Sequence, residues 1–266
     1  MSDWRNLSLL FAERKVLFIG LGFSPSTGWK RLFLLVVCLF LRRQIYGYFI
    51  GSDLLRFKSS NFSRLVYWII QKKIKIFVET DEMRDLACSC GVKVSHVQTY
   101  QTISPDCIQK IYGQKDDQII SAYVGQKNQS FYRVEKILDA ARQLVDFKFI
   151  LIGDAPVGQC IPNNVLFTGW VHDMSSIYRT SEVFIRIPLS DGLGLSAYEA
   201  LALDCKVVSS TNKPHCFLYN PHSDLVSQIK LAYCMQVDFD TVRKYISDRF
   251  SEEKVKKQLL SMLGLK

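Results

Sequence analysis

Apolar and polar positions alternate in two ways along this chain. Short, almost continuous apolar runs are separated by longer stretches in which apolar residues recur every three or four positions. The first pattern predicts buried strands and the second predicts helices. In the N-terminal part the predicted strands are Lys15–Gly20, Ile45–Gly51, Ile74–Glu79 and Lys93–Gln98, with helices at about 28–42, 61–72 and 81–90 between them. The pattern lapses from Thr102 to Gln118, where Pro105, Gly113 and a charged cluster read as a linker. A second series then predicts strands Ile119–Gly125, Lys148–Gly153, Val165–Gly169, Val183–Pro188 and Lys206–Ser209. Its helices are expected at about 132–144, 173–180, 193–203 and 224–235. The last stretch, Asp240–Leu263, keeps helical spacing through Val242, Tyr245, Ile246, Phe250, Val255, Leu259 and Leu260.

Strands alternating with helices predict parallel sheets built from βαβ units. The expected fold class is therefore α/β, with two Rossmann-like domains facing a cleft and a C-terminal helical tail. The expected boundaries are 1–104 for the first domain, 105–118 for the linker, 119–239 for the second and 240–266 for the tail, which has room to pack back on the first domain. Ligands of such sheets bind outside the carboxyl ends of the strands, so residues at those ends are the candidates for chemistry.

Composition supports a folded chain. Of 266 residues, 48% are hydrophobic and 22% charged, enough to bury a core and too apolar for disorder. The formal charge of +9 is unevenly placed. Residues 1–78 carry thirteen Lys and Arg against Asp3, Glu13 and Asp53, and the remainder is nearly neutral. A basic third of this kind calls for an anionic partner, a membrane surface or a nucleic acid. The nucleic-acid reading finds no recognisable module, and the cations flank apolar runs rather than lining one face.

The longest apolar run, Leu32–Leu41, is bracketed by Lys30, Arg31, Arg42 and Arg43 and is about half of what a bilayer span needs. Two readings stand: a core helix with charged ends, or a helix that buries one face and dips the other into a lipid interface. The segment Arg64–Lys75 fits the second picture too. The start, MSDWRNLSLLFAERK, lacks the pattern of a secretory leader, and Cys38, Cys205 and Cys234 sit in apolar surroundings. The eight cysteines therefore read as thiols in a reducing, cytoplasmic setting rather than as disulfides. Cys88 and Cys90 form a close pair with no partner at zinc spacing, and no metal site is expected.

The most informative segment is RIPLSDGLGLSAYEALAL, residues 186–203. A strand ends at Pro188, a loop holds Gly192 and Gly194, and a helix begins near Leu193–Leu195. Glycines let backbone approach a ligand, and the unpaired N–H groups of a first helical turn suit a phosphate. Asp191 precedes the helix. Glu199 lies two turns in on an otherwise apolar helix, where a carboxylate is able to accept two hydrogen bonds from a ribose diol. Arg186, a cation at a strand end, needs a counterion, either a ligand phosphate or Asp191.

From about Ile119 to Ser210 the chain resembles the donor domain of retaining GT-B glycosyltransferases of the large sucrose-synthase and mannosyltransferase-like family. The resemblance runs through Tyr123-Val-Gly125, Lys148–Gly153, Pro162–Met174 and Tyr178–Arg186. It ends in Asp191 and Glu199, which match the family's paired glutamates, followed by Leu201-Ala-Leu-Asp-Cys-Lys-Val-Val208. It implies that Asp191 lies by the donor sugar, Glu199 binds the nucleotide ribose, and Gly192, Leu193, Gly194 and Leu195 form the donor loop. The family's two phosphate-binding cations fall on Gln126 and Tyr132 here. Lys127 and Arg133, one residue away, either replace them or are solvated surface charges.

In the N-terminal domain Gly20 and Gly22 resemble the family's glycine-rich turn, and Gly51-Ser52-Asp53 resembles a turn of bacterial polysaccharide glycosyltransferases. Asp53, isolated among cations, is expected to meet the acceptor rather than to serve a structural ion pair. The resemblance as a whole implies a metal-independent, retaining transferase without a cofactor. It would take a nucleotide-diphosphate sugar to a lipid-linked glycan in capsule or O-antigen assembly, on the inner membrane face. The alternative is a catalytically inactive GT-B-like partner subunit.

Overall fold

A computed structural model describes residues 15–19, 28–49, 53–97, 99, 101–103, 118–125 and 129–262. The chain forms two compact units. One takes the residues up to Tyr100 and the end of the last helix from Lys256; the other runs from Gln101 to Val255.

The first unit has four parallel strands in the order β1-β2-β3-β4: β1 (Lys15–Ile19), β2 (Gln44–Tyr48), β3 (Ile74–Val78) and β4 (Val94–Val97). Helix α1 (Gly28–Phe40) connects β1 to β2, α2 (Asp53–Ser59) and α3 (Asn61–Ile70) connect β2 to β3, and α4 (Asp81–Ser89) connects β3 to β4. Each connection steps to the next strand in the same direction. Right-handed crossovers that all step one way put their helices on one face of the sheet. One core records this: Leu35 and Cys38 of α1, Phe57 of α2, Val66 and Ile70 of α3 and Met83 of α4 pack on Ile45, Ile76 and Val78. On the other face Phe77 stacks between Tyr48 and His96. Side-chain caps start two of the helices, Ser60 accepting from the Ser63 N–H and Thr80 from the Met83 N–H.

Helix α2 is absent from the sequence expectation, which carried the second strand on to Gly51 and placed Asp53 at its end. The strand stops at Tyr48, and Asp53 instead opens a helix, where an acidic first residue suits the helix dipole.

The second unit has six parallel strands: β5 (Ile119–Gly125), β6 (Lys148–Gly153), β7 (Val165–Phe167), β8 (Val183–Arg186), β9 (Lys206–Ser209) and β10 (Phe217–Leu218). Their order is β10-β9-β8-β5-β6-β7. The chain winds outward from β5 through β6 and β7, then returns to the far side of β5 with β8. That reversal puts helices on both faces. Helices α5 (Val134–Gln143) and α8 (Leu225–Cys234) pack on one, against Ile120, Val124, Leu151 and Ile185. Helices α7 (Leu195–Ala202) and α9 (Phe239–Phe250) pack on the other, against Phe184 and Val207. Helix α6 (Ser175–Thr180) leads into β8, and α10 (Glu252–Met262) closes the described chain. The helical stretch expected from Asp240 is thus two helices broken at Ser251, and the first is a core element: Val242, Ile246 and Phe250 are buried against Ala197, Tyr198 and Leu201.

Candidate active site

Reversal of strand order between β5 and β8 leaves a crevice at their carboxyl ends, the place where doubly wound sheets take ligands. Three loops meet there: the turn after β5, the segment 187–194 after β8, and the segment 210–216 after β9. They are tied together by backbone and hydroxyl bonds. The Leu189 N–H donates to the Phe131 carbonyl (2.8 Å), the Ser210 N–H to the Arg186 carbonyl (3.1 Å), and the Ser210 hydroxyl to the Pro188 carbonyl (2.8 Å).

At the centre is a buried charge cluster. Arg186 grips Asp191 with two parallel bonds, Nε to Oδ2 and NH2 to Oδ1, both 2.8 Å. Lys213 approaches the same carboxylate at 3.3 Å from Oδ2 and donates to the Gly192 carbonyl (3.2 Å) and to Thr211 Oγ1. The three side chains are 16%, 7% and 5% exposed, so their attraction is little screened by water. Burial pushes the Asp191 carboxyl up, but Arg186 and then Lys213 outweigh it and hold the group below its ordinary value, ionised. Two cations facing one carboxylate leave this cluster with a net positive charge.

Gly194 makes the arrangement possible. It caps α7 in the left-handed region, φ 63°, and a Cβ there would lie 2.4 Å from Asp191 Oδ2 and 2.7 Å from Lys213 Cε. A side chain would occupy the space the ion cluster fills. Neighbouring Leu193 is buried and Leu195 packs partly buried in the same core. These two leucines therefore offer a ligand their backbone, not their side chains.

Glu199 sits on α7 and is half-buried. Burial pushes its carboxyl up, and the nearby Arg186 charge pulls it partly back. The Tyr178 hydroxyl and Ser196 Oγ are buried next to one another. Burial, then the Glu199 charge, pushes the Tyr178 phenol up. The helix thus carries one half-buried carboxylate beside two buried hydroxyls.

The turn after β5 holds a surprise at Tyr132. Its ring packs so closely over Gly125 that a Cβ there would lie 2.6 Å from it, and it stands edge-on to Tyr123 at 5.1 Å. Burial, then Tyr123, pushes its phenol up, and Arg186 and Asp191 also act on it. Arg133 caps α5 with φ 52° and lays its guanidinium over the Tyr219 ring at 5.9 Å. Its NH1 is buried and has no hydrogen-bond partner among the described residues. Tyr219 belongs to the core beneath α5 and α8, whereas Arg186 and Asp191 couple to Tyr132. Lys127, Gly20, Gly22 and Ser52 lie outside the described residues. Asp53 is placed only by its backbone, as the first residue of α2.

Of the expected site residues, Arg186, Asp191, Gly192, Gly194 and Glu199 come together. Lys213 was missed. Its signal was positional: a lysine in the loop just after β9, on the same sheet edge as Arg186. Among the described residues no group of three His, Cys, Asp or Glu is placed to hold a metal ion.

Residues 119–224 match the family model described as glycosyl transferases group 1. The match covers β5 through the start of α8, and so contains every residue of the charge cluster. No curated protein matches by sequence. Among solved structures, sucrose-phosphate synthase from Thermosynechococcus elongatus aligns with 98% of this chain and 75% of its own, at TM-score 0.74 and 13% identity. HepE of Anabaena, solved with UDP and glucose, aligns with 98% and 80%, at TM-score 0.71 and 14% identity. TarM aligns with 98% and 57%, at TM-score 0.67 and 15% identity. The chain therefore spans little more than half the length of TarM. These likenesses establish the fold as that of GT-B glycosyltransferases.

Proposed function

We propose that the protein is a glycosyltransferase that moves a sugar from a nucleotide-diphosphate donor to a lipid-linked glycan acceptor. On this reading it acts with retention and without a metal, in cell-surface polysaccharide synthesis. The observation that carries the reading is the buried Arg186–Asp191–Lys213 cluster at the strand-order reversal, with Glu199 about one turn along the helix that follows.

In this scheme the unpaired N–H groups at the start of α7 and the net positive charge of the cluster stabilise the leaving diphosphate, where negative charge develops. Glu199 accepts the ribose hydroxyls. Asp191, locked in one rotamer by two cations, orients the donor sugar together with the Gly192–Leu195 backbone. On the resemblance, Lys127 serves as a further phosphate ligand, and Arg133 joins it only by leaving the Tyr219 ring. On the same resemblance, Gly20, Gly22, Ser52 and Asp53 of the first unit serve the acceptor, whose hydroxyl gives its proton to the leaving phosphate on the same face of the sugar.

A second reading, a GT-B-like subunit without turnover, is favoured by Tyr132, which fills the space over Gly125 where the resemblance led us to expect a lysine. Thermal-shift measurements against a panel of nucleoside diphosphates, with donor-sugar hydrolysis assayed in parallel, test both. A diphosphate at a hundred times its Kd adds about 2.7 kcal/mol and raises the melting temperature by about 5–10 °C. A shift with sugar release supports the transferase, a shift without release supports the silent subunit, and no shift with any diphosphate removes both.

A further inference from the structure

We infer that the outward side of the helical layer of the first unit docks on an anionic lipid surface. The inference deepens the acceptor half of the function proposed above and rests on that reading for its purpose. Its physical basis lies in α1 and α3.

Both helices are apolar on both sides. On α1, Leu35 and Cys38 are buried while Phe33, Val36 and Phe40, spaced three and four apart, are 53%, 54% and 86% exposed. On α3, Val66 and Ile70 are buried while Leu65, Trp68 and Ile69 are 55%, 69% and 63% exposed. Single exposed apolar residues are ordinary. Here seven of the fifteen large hydrophobic side chains left exposed among the described residues sit on these two helices. Concentration of that kind marks an interaction surface. Neither helix is long or apolar enough to cross a membrane.

The winding of the sheet puts both stripes on one layer. Successive crossovers from β1 to β2 and from β2 to β3 cover the same face, so the outward sides of α1 and α3 look the same way. Crossover helices run against their parallel strands, so both also end at the same edge of the sheet. There α1 is followed by Arg42 and Arg43 and α3 by Lys72 and Lys73. Arg64 adds an exposed cation on α3 itself. Between Gly28 and Lys73 the only acid is Asp53. Cations at helix ends are accounted for by the helix dipole alone. An outward row of Phe, Leu, Trp and Ile beside them is not.

Charge selects the occupant. A second copy of the chain on a two-fold axis would press this cationic rim against itself, which is repulsive. A nucleic acid would meet the cations but leave the apolar rows against phosphate. A bilayer with anionic headgroups offers acyl chains to the stripe and negative charge to the rim at one level, with Trp68 suited to the boundary.

Co-sedimentation with phosphatidylglycerol vesicles, against phosphatidylcholine vesicles as control, tests the inference. The wild-type chain is expected to bind the anionic vesicles, with affinity falling as salt rises. The Leu65→Ser, Trp68→Ser pair is expected to weaken binding at least about tenfold. The Lys72→Gln, Lys73→Gln pair is expected to cost roughly fivefold per cation removed. Vesicles should also blue-shift tryptophan emission, and Trp68→Phe should lose that shift. These substitutions fall on exposed positions, so unchanged melting temperatures confirm folding. Absent vesicle binding, or equal binding by every variant, overturns the inference. So does a lipid-free dimer that the Leu65→Ser, Trp68→Ser pair dissolves, because the occupant is then a second copy. Nucleoside diphosphate affinity of the same variants without vesicles separates the two claims: nucleotide binding without vesicle binding sinks the docking face alone, and the converse sinks the donor site alone.

Discussion

Removing Asp191 leaves two buried cations without their counterion, whereas removing Lys213 leaves Asp191 still held by both arms of Arg186. The two losses are therefore unequal. Breaking a buried pair costs about 3–5 kcal/mol because the survivor keeps its desolvation penalty. Asp191→Ala is expected in that range and Lys213→Met well below it, as read by urea denaturation at neutral pH. Equal losses would mean that Lys213, not Arg186, is the main partner.

Glu199 and Asp191 respond to pH with opposite signs. Asp191 has a lowered folded-state pKa, so its contribution is present above the ordinary carboxylate range and is lost as pH falls through the folded value. Glu199 has a raised one, so stability is lost as pH rises through its folded value. Glu199→Gln removes that penalty. It is expected to raise the melting temperature of the ligand-free protein at pH 7 and to leave it unchanged near pH 4. A lower melting temperature at pH 7 would show that the carboxylate is a structural partner. Arg186 and Glu199 were legible in the sequence because each stood out on an apolar element, and Asp191 because its glycine loop, with Glu199 after it, resembled the family's paired acids. Lys213 was not, because a lysine in a polar loop carries no local signature. Only the sheet, by setting the β9 loop beside the β8 loop, shows that its side chain turns inward.

Helix α7 depends on how it starts. Gly194 adopts a conformation that costs a residue with a side chain roughly 1–2 kcal/mol, and a Cβ would also displace Asp191 and Lys213. Gly194→Ala is expected to destabilise the protein by about 2 kcal/mol or more and to weaken donor binding beyond Glu199→Gln. Calorimetry of the folded variant reads the second effect, and intact donor affinity would show that the cluster is not part of the binding site. The nine longer strands were legible because each is a short apolar run bounded by turn residues. Helix α2 and strand β10 were not: the strand before α2 was carried on to Gly51 with Asp53 taken as its end, and two residues are too short to establish a period. The break at Ser251 was hidden for a related reason, since apolar spacing continues across it and only the extended conformation of that residue separates α9 from α10.

Charge is divided unevenly over the whole chain. Its first unit carries the excess cations and the outward apolar rows, and its second carries the nearly neutral, group 1-like domain with one buried ion cluster. Charge asymmetry was visible in the sequence. Single winding of the first sheet, which turns two ambiguous apolar helices into one layer with a buried and an exposed side, was not, because strand order is set by long-range pairing. The central claim is that the crevice at the ends of β5 and β8 holds a nucleotide diphosphate through Glu199. Isothermal titration of the wild-type chain and Glu199→Ala with the diphosphate that gives the largest thermal shift tests it most directly. Loss of hydrogen bonds to a charged group is worth about 1.5–3 kcal/mol, so affinity is expected to fall by roughly 10- to 150-fold with folding intact. Equal affinity in the two proteins would contradict the account.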